Sequence, residues 1–505
     1  MNKIEKQFKK DFEESNKKIE LTFDVSQLTP NTEPELTFEE TKKKKRKTKR
    51  IVIFSSVSTV VLALIAVTLS QILEINSSVK TAKRNLSANA IAIAESNTFK
   101  RLNNVKYPEG EEPTRHEFTK NEMSAYNNFA NETYHSLVNS SKKDNMSFAS
   151  IGLYSIMNEL YGAISREDLQ DQFTNLLGLN ETSRKEFYEN VMKANSYASK
   201  DNATQLKNAA FFNTDYQYSQ EYVDKLTNLY CEAYTIDFKN EADKMVEWVN
   251  EAVDSKGFID KEFLNMSKYS QLYYFSTLYF KNAWAYKYLS KDNIDDDFYL
   301  SDGSKKTAKY MCHSYRTDYY YDYGTYISFR DYYMGGNASI TYLVPKKTSD
   351  NIFNLTKNAN IFEENEAKKA SKKDPYSDYY EPYMVNLKTP KFKVSADIDL
   401  KASLENLGFA SMFKDTYDSF HKAFNDPSTN NINFYLEQVK QKNEVEFNED
   451  GAIVKSVSMA SVGGKDAAME RADVIDIRLN QPFIYIIRDC NDIPILVGHI
   501  DNPNY

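Results

Sequence analysis

The sequence predicts an α+β fold in which helices come first and large, mainly antiparallel sheets come last. Apolar residues at helical spacing occur in four stretches: 121–140, 151–163, 242–252 and 400–413. Runs rich in β-branched and aromatic residues, typical of strands, occur mostly later: 273–280, 339–344, 385–394, 483–487 and 495–500. A doubly wound parallel sheet would instead alternate strands and helices along the chain.

Composition indicates that most of the 505 residues fold. The chain is 41% hydrophobic and 14% aromatic, with 14 glycines and 12 prolines, which excludes collagen-like and wholly disordered proteins. Its length alone favours about three domains, yet no linker-like break interrupts residues 118–505, so we expect one large domain there. The net charge of -8 argues against nucleic acid as a partner.

Residues 51–73 are predicted to cross a membrane. This run carries no charged side chain, and at 1.5 Å per residue it spans a hydrocarbon core of about 30 Å. The basic residues on its N-terminal side are Lys42, Lys43, Lys44, Lys45, Arg46, Lys47, Lys49 and Arg50. Because positive flanks stay inside, residues 1–50 are expected in the cytoplasm and the rest outside. About fifty mostly polar residues precede the run, which favours an uncleaved signal anchor over a signal peptide.

Three further regions follow from this topology. Residues 1–50 are a polar tail, expected to be disordered, that ends in the basic block. Residues 74–117 are predicted to form an extracellular stalk, and residues 118–505 the folded domain. The expected location is therefore a single-pass position in the cell membrane, with residues 51–73 in contact with the lipid bilayer. The tyrosine, asparagine and lysine usage suggests a bacterial source.

Cysteine and histidine usage argues against metal, cofactor or triad chemistry. The three cysteines, Cys231, Cys312 and Cys490, are odd in number and widely spaced, so at least one thiol has no partner within the chain. The five histidines lack metal-ligand spacing, and the sequence contains no glycine-rich phosphate loop and no G-x-S-x-G motif. We therefore expect a protein that is not an enzyme and has no cofactor or metal.

Several motifs resemble those of one known family, the serpins. The segment 446–451 (EFNEDG) resembles the hinge before the reactive loop, and 476–483 (DIRLNQPF) resembles the segment after it. The segments 484–488 (IYIIR) and 495–503 (ILVGHIDNP) resemble the closing hairpin. Upstream, further matches follow in the family's order: 145–148 (NMSF), 208–211 (NAAF), 279–284 (YFKNAW) and 390–393 (PKFK). The resemblance covers residues 118–505 and implies a serpin-like fold with an exposed reactive loop.

The resemblance implies suicide inhibition of a serine protease. The protease cleaves the loop, and the cleaved loop inserts into the main sheet and carries the acyl-enzyme with it. The implied hinge residues are Glu449 and Gly451, and the implied inward face of the inserted strand is Ala452, Val454, Ser456 and Ser458. These inward residues are small or β-branched, as a buried strand requires, and no proline lies between 451 and 473.

Two departures from the family pattern bear on loop insertion. The loop after the hinge is less alanine-rich than usual, since it contains Val454 and Val457. Ala149, Ser276 and Gln441 stand where many serpins carry serine, asparagine and histidine beneath the opening sheet. Because all three positions differ together, no single polar group is left without its hydrogen-bond partner. The resistance of the sheet to opening is therefore predicted to differ from that of those serpins.

Two ways of counting place the cleaved bond differently. Counting forward from the hinge reaches Lys465–Asp466, whereas counting back from the segment after the loop reaches Arg471–Ala472. We favour the first, because the length from hinge to bond decides whether a trapped protease is strained, while Ala467 and Met469 stay open as alternatives. Both counts end on a basic residue, which implies a trypsin-like target protease.

The alternative function is a non-inhibitory binding or adhesion module at the cell surface. Its exposed recognition surface would use tyrosines such as those at 319–321 and 379–380, because tyrosine offers rigid amphipathic contact area. The partners expected for the inhibitor are a serine protease and the bilayer, and the chain is expected to be a monomer. Loop insertion that stabilises the cleaved protein would separate the two functions.

Overall fold

The structure, a computed structural model, describes residues 91–141, 145–199, 202–370, 383–426, 428, 431–452 and 474–505. All of these belong to one compact unit, Ile75–Tyr505; the other unit, Met1–Glu74, lies outside the described residues. The predicted membrane segment 51–73 therefore lies outside them as well. Within the described ranges, no helix combines the length and apolarity that crossing a bilayer requires.

The α-helices lie mostly in the first half of the described chain. They are α1 (Lys120–Ser140), α2 (Ser150–Tyr161), α3 (Glu167–Leu177), α4 (Glu181–Ala194), α5 (Gln220–Asn228), α6 (Phe238–Glu241), α7 (Asp243–Ala252), α8 (Lys261–Leu264), α9 (Ile352–Thr356) and α10 (Lys401–Asn406). Helix α1 begins with a reciprocal capping box: Glu122 N donates to the Thr119 side chain, and Thr119 N donates to the Glu122 carboxylate.

The strands become frequent after α7. They are β1 (Lys100–Arg101), β2 (Asn145–Phe148), β3 (Ser196–Ala198), β4 (Ala203–Asn213), β5 (Cys231–Ile236), β6 (Leu272–Lys281), β7 (Ile294–Tyr299), β8 (Lys305–Thr317), β9 (Tyr320–Asp322), β10 (Tyr326–Tyr332), β11 (Ala338–Pro345), β12 (Tyr383–Pro390), β13 (Phe392–Asp399), β14 (Lys440–Asn448), β15 (Gly451–Ala452), β16 (Val474–Arg478), β17 (Phe483–Asp489) and β18 (Pro494–Ile500).

These strands form four sheets. One has the order β1-β5-β4-β3, and β6 also pairs with β4, outside this order. A second has the order β2-β18-β17-β11-β10-β9. The third is β16-β12-β8-β7 and the fourth is β13-β14-β15. The pairs β4–β5 and β12–β16 are parallel and the other described pairs are antiparallel. The predicted α+β fold with mainly antiparallel sheets is confirmed.

Two predicted elements are divided in the structure. The predicted helix 400–413 stops at Asn406 in α10 and resumes as a 3₁₀ turn, Phe409–Phe413, because Gly408 takes a left-handed φ of 97° that breaks the helical path. The predicted strand 385–394 becomes β12 and β13, which belong to different sheets. The change of sheet falls at Pro390, which has no N–H to continue the ladder.

The folded unit begins earlier than the predicted boundary at residue 118. Residues 91–117, expected in the stalk, pack on the domain: Phe99, Val105 and Tyr107 are buried, and β1 pairs with β5. The buried carboxylate of Glu232 on β5 accepts hydrogen bonds from the Tyr107 hydroxyl at 3.1 Å and the Trp248 indole at 3.0 Å. The apolar residues of 91–117 do not recur at helix or strand spacing. The sequence therefore did not predict that this segment packs on the domain.

Candidate functional site

A groove separates the facing edges of β6 and β14. Among the described residues, β6 pairs along its length only with β4, and β14 pairs along its length only with β13. All eleven residues of β4 are buried, whereas most of β6 is only half-buried, which is the pattern of a strand that lacks a neighbour on one side. The two edges therefore present backbone donors and acceptors without a ladder partner.

Two adjoining cavities run along this groove. The upper one, of about 640 Å³, is lined by residues of α2, β6 and β14 and reaches Ala452. The lower one, of about 600 Å³, has many aromatic side chains in its lining, including Tyr274, Phe424 and Phe434. Ile156, Tyr274 and Lys440 line both cavities, so the groove continues from one to the other.

The predicted hinge closes the upper end of the groove. In β15, Ala452 pairs with Phe447 of β14 on one side and bridges to Asn282, just after β6, on the other. Gly451 has a φ of 138°, and a Cβ there would lie 2.1 Å from the Asn282 carbonyl oxygen. Only glycine therefore fits this close approach. β15 therefore lies between the two edges and runs antiparallel to β14.

Glu449 is held by two side chains from other elements. Lys391 forms an ion pair with its carboxylate, and the Asn293 amide donates to it. Burial acts to raise the pKa of Glu449, but the hydrogen bonds from Lys391, its own backbone and Asn293 outweigh burial and lower the pKa. Beside it, the Trp284 indole donates to the Asn448 carbonyl oxygen at 2.9 Å. These contacts fix the hinge at the top of the groove.

The three unusual residues beneath the sheet come together, but not as one network. The Gln441 amide accepts from Ala149 N at 2.8 Å and donates to Ala149 O at 2.9 Å, which ties β14 to the start of α2. Across the groove on β6, the buried Ser276 hydroxyl makes no hydrogen bond to any described residue. Gln441 and Ser276 therefore leave the two edges unlinked at this level.

The remaining predicted loop residues lie outside the described residues. These are Val454, Ser456, Ser458, Lys465, Asp466, Arg471 and Ala472. The chain is described again from β16, an edge strand in parallel pairing with β12. Arg478 forms an ion pair with Asp296 of β7 and lies over the Tyr310 ring at 5.8 Å.

Sequence reasoning missed the side chains that contact the predicted hinge residues. Lys391 and Trp284 stand in the quoted motifs 390–393 and 279–284, yet nothing in those motifs shows that they meet the hinge. Asn293 stands in no motif. The tyrosines at 319–321, considered for a recognition surface, are mostly buried: Tyr319 is 8% exposed and Tyr321 1%. Tyr319 packs instead against the Arg330 guanidinium at 3.7 Å.

Comparisons with known proteins agree with this geometry. The family model described as serpin (serine protease inhibitor) matches residues 124–503. Serpin-Z2B of Triticum aestivum is 27% identical over 286 residues, which is 54% of this chain and 67% of that protein. The native state of tengpin, a thermophilic serpin, is similar with a TM-score of 0.62 at 16% identity, covering 79% of this chain and 97% of that chain.

A thyroxine-binding globulin in complex with thyroxine has a TM-score of 0.57 at 17% identity, covering 76% of this chain and 99% of that chain. At such identity these structural neighbours carry the fold alone. The family model, in contrast, spans most of the chain and includes both the hinge and the segment after the loop. The chain therefore belongs to the serpin family.

Proposed function

We propose that the protein inhibits a serine protease by accepting its own cleaved loop as a strand between β6 and β14. The single observation that carries this proposal is the pair of facing, unpartnered strand edges with the hinge already between them at one end. A strand inserted there would gain ladder hydrogen bonds on both sides and bury its inward face. That gain would drive the conformational change.

The register of Ala452 predicts the inward residues independently of the family resemblance. Continuing the pairing places Val454 opposite Val445, and Ser456 opposite Asn443. Val445 and Asn443 are buried, whereas the intervening Glu444 is exposed. Lys455 then falls opposite Glu444 on the outer face, where opposite charges are favourable. The predicted inward set thus matches the buried face of β14.

The same register favours Lys465–Asp466 as the cleaved bond. Continuing the bridge between Ala452 and Asn282 brings Val462 opposite Leu272, the first residue of β6. Lys465 follows shortly after that level, whereas Arg471 would leave nine residues, or about 30 Å of slack chain. The shorter reach would hold a trapped protease against the lower end of the domain. A lysine before the bond fits a trypsin-like protease, whose primary pocket carries a carboxylate.

We further propose that the inhibitor acts as a monomer on the outer face of a cell membrane. The support is the apolar run 51–73 with eight basic residues before it. A tethered inhibitor would remain at the surface that it protects from proteases.

The test is to incubate the protein with trypsin-like, chymotrypsin-like and elastase-like proteases. We expect an SDS-resistant complex with the trypsin-like protease and a cut after Lys465 by mass spectrometry. Lys465→Ala should abolish that complex, whereas Arg471→Ala, the matched control, should leave it. Cleavage by these proteases with no complex in any case would refute inhibition. Loss of the complex only in Arg471→Ala would assign the cleaved bond to Arg471–Ala472.

A second candidate, ligand binding without trapping, is favoured by the aromatic lining of the lower cavity. The neighbouring thyroxine-binding globulin structure contains thyroxine, so the fold is compatible with a bound small molecule. Thermal stability separates the two functions. Insertion should raise the Tm of the loop-cleaved protein by roughly 10 °C or more, since each kcal/mol is worth about 2–4 °C for domains of 150–250 residues. An unchanged Tm would favour the binding module.

A further inference from the structure

An amine and a carboxamide meet at one carboxylate oxygen beside the hinge. Lys391 Nζ forms an ion pair with Oε1 of Glu449, and Asn293 Nδ2 donates a hydrogen bond to the same Oε1. Asn293 directly precedes β7, and Lys391 lies between β12 and β13, so two segments distant in sequence approach each other here. Two contacts to one atom place the two nitrogens within roughly 6 Å of each other.

Lys391 and Glu449 are largely shielded from water. The side chain of Lys391 is 11% exposed and that of Glu449 is 14% exposed. The Tyr505 ring lies beside Lys391, with its centroid 5.0 Å from Nζ, and the Trp284 indole donates to the Asn448 carbonyl oxygen next to Glu449. Such shielding hinders hydrolysis and lets a proton pass directly between the partners.

The carbonyl oxygen of the Asn293 side chain accepts no hydrogen bond from any described residue, although it is buried. A half-turn about the Cβ–Cγ bond exchanges Oδ1 with Nδ2, because the two ends of a carboxamide have nearly the same shape. Oδ1 would then face Glu449, and a protonated Glu449 would donate a hydrogen bond to it. That hydrogen bond would polarise the carbonyl and make Cγ of Asn293 electrophilic.

We propose that Lys391 and Asn293 form an intramolecular isopeptide bond, with Glu449 as the group that transfers the protons. The reaction begins when Lys391 passes a proton to Glu449 within the ion pair. The neutral Nζ then attacks Cγ of Asn293, the carbonyl π electrons move to Oδ1, and Oδ1 takes the proton from Glu449. This proposal does not depend on inhibition of a protease.

The second half of the reaction releases ammonia. Glu449 removes a proton from Nζ and passes it to Nδ2, so that the Cγ–Nδ2 bond breaks and its electron pair leaves with the nitrogen. The carbonyl re-forms, and the proton lost from its oxygen leaves with ammonia as ammonium. One ammonium side chain and one carboxamide thus become one amide and one ammonium ion. Atoms and charge balance, and the reaction needs neither an oxidant nor a cofactor.

The reaction needs to occur only once in each molecule. The hydrogen bonds that lower the pKa of Glu449 keep the ion pair dominant, so its neutral form is populated only briefly and the reaction is slow. Positioning compensates, because two groups held against one atom have a large effective concentration. Lys306 provides a contrast: its Nζ donates to the Asn502 and Asn504 side chains, but it forms no ion pair with a described carboxylate. We expect no isopeptide bond there.

Intact mass spectrometry of the full chain tests the proposal. The purified protein should have a mass about 17 Da below that of its sequence, which is the mass of one ammonia. Trypsin does not cut after an acylated lysine, so a digest should contain residues 293 and 391 in one branched peptide. Glu449→Gln and Asn293→Ala should each restore the full mass. Lys306→Arg, the matched control, should keep the loss.

Lys391→Arg separates the isopeptide bond from a succinimide, because cyclisation of Asn293 alone would also release ammonia. We expect this variant to have the full mass of its sequence. A loss of about 17 Da that persists in Lys391→Arg would overturn the proposal, and so would a wild-type mass equal to that of the sequence. The wild-type measurement holds whether or not any variant folds.

Discussion

A buried carboxyl without a partner stands out at the scale of single residues. Glu159 of α2 is fully buried, and neither of its carboxylate oxygens has a hydrogen-bond partner among the described residues. Burial raises the pKa of Glu159 well above its usual value, and the nearby Cys231 thiol offsets only part of that increase. The group is therefore neutral in the folded protein at pH values where the unfolded chain is ionised.

Glu159→Gln should stabilise the protein in a pH-dependent way. Below about pH 4.5, the ordinary pKa of glutamate, both states are protonated and the carboxyl costs nothing. As the pH rises, the unfolded state gains the stability of ionisation, so wild-type stability falls until the folded-state pKa is reached. We expect a higher Tm for Glu159→Gln at pH 8 and the same Tm at pH 4. Exposed Glu186→Gln serves as the control, and a constant difference at all pH values would contradict the assignment.

Residues of the hinge show how far the sequence predicts the site. Glu449, Gly451 and Ala452 were predicted because the segment 446–451 resembles the hinge of the serpins. The structure adds a local constraint there, since only glycine fits at 451 and Ala452 pairs with Phe447. Lys391 and Asn293 were not predicted, because their importance lies in their contacts with Glu449. Contacts between segments distant in sequence leave no local pattern that distinguishes these residues from other surface residues.

At the scale of elements, β16 shows how an edge strand is held to its sheet. It is an edge strand with one parallel neighbour, and parallel pairing is slightly weaker per residue. Val474 at its start is 61% exposed. Besides this pairing, Arg478 reaches Asp296 and the Asp297 carbonyl oxygen of β7, and the Asn386 amide of β12 donates to Asp476 at 2.8 Å. The anchorage of β16 therefore depends in part on the side chains of Arg478 and Asp476.

Arg478→Gln should loosen β16 without unfolding the domain. We expect backbone amides of residues 474–478 to exchange roughly two- to fivefold faster, because the lost ion pair is about one-third exposed and partly screened by solvent. Arg316→Gln, at an exposed position on β8 of the same sheet, is the matched control. Equal exchange in the two variants would show that Arg478 does not contribute to holding the strand.

The sequence predicted elements that have one buried face, but it did not predict which strands pair with one another. Helix α1 lies within one residue of the predicted start, since its apolar residues recur along one side. The sequence did not indicate the parallel pairing of β4 with β5. Both strands are almost wholly buried, so polar and apolar residues do not alternate along them. Sheet order depends on which edges meet in three dimensions, which a period cannot specify.

At the scale of the whole molecule, the domain includes the segment that was expected to form its stalk. Ile91 N donates to the Glu232 carboxylate at 3.1 Å, and Asn103 joins the β5 backbone through Cys231 O and Ala233 N. Residue 91, where the described chain begins, is therefore held against β5 of the sheet that contains β6.

A protein that starts at residue 118 should be less stable than one that starts at residue 91. Removing residues 91–117 exposes the surface beneath Phe99, Val105 and Tyr107, and buried side chains of this size contribute about 1.5–3 kcal/mol each. We expect Tm to fall by roughly 5–15 °C in calorimetry. Glu232→Gln in the longer protein should reproduce part of the fall. Equal Tm values for the two lengths would show that the segment contributes nothing to the domain.

The unpartnered edges of β6 and β14 also have a consequence for how the protein must be handled. Unpaired strand edges can pair with a strand from another chain, and in the proposed mechanism each molecule carries both such edges and a loop that inserts between them. If the loop of one molecule enters the groove of the next, the contact is head-to-tail and does not close on itself, so it propagates. Raised temperature and high protein concentration would then favour polymerisation. The open edges that would let this protein trap a protease would also let its copies associate head to tail.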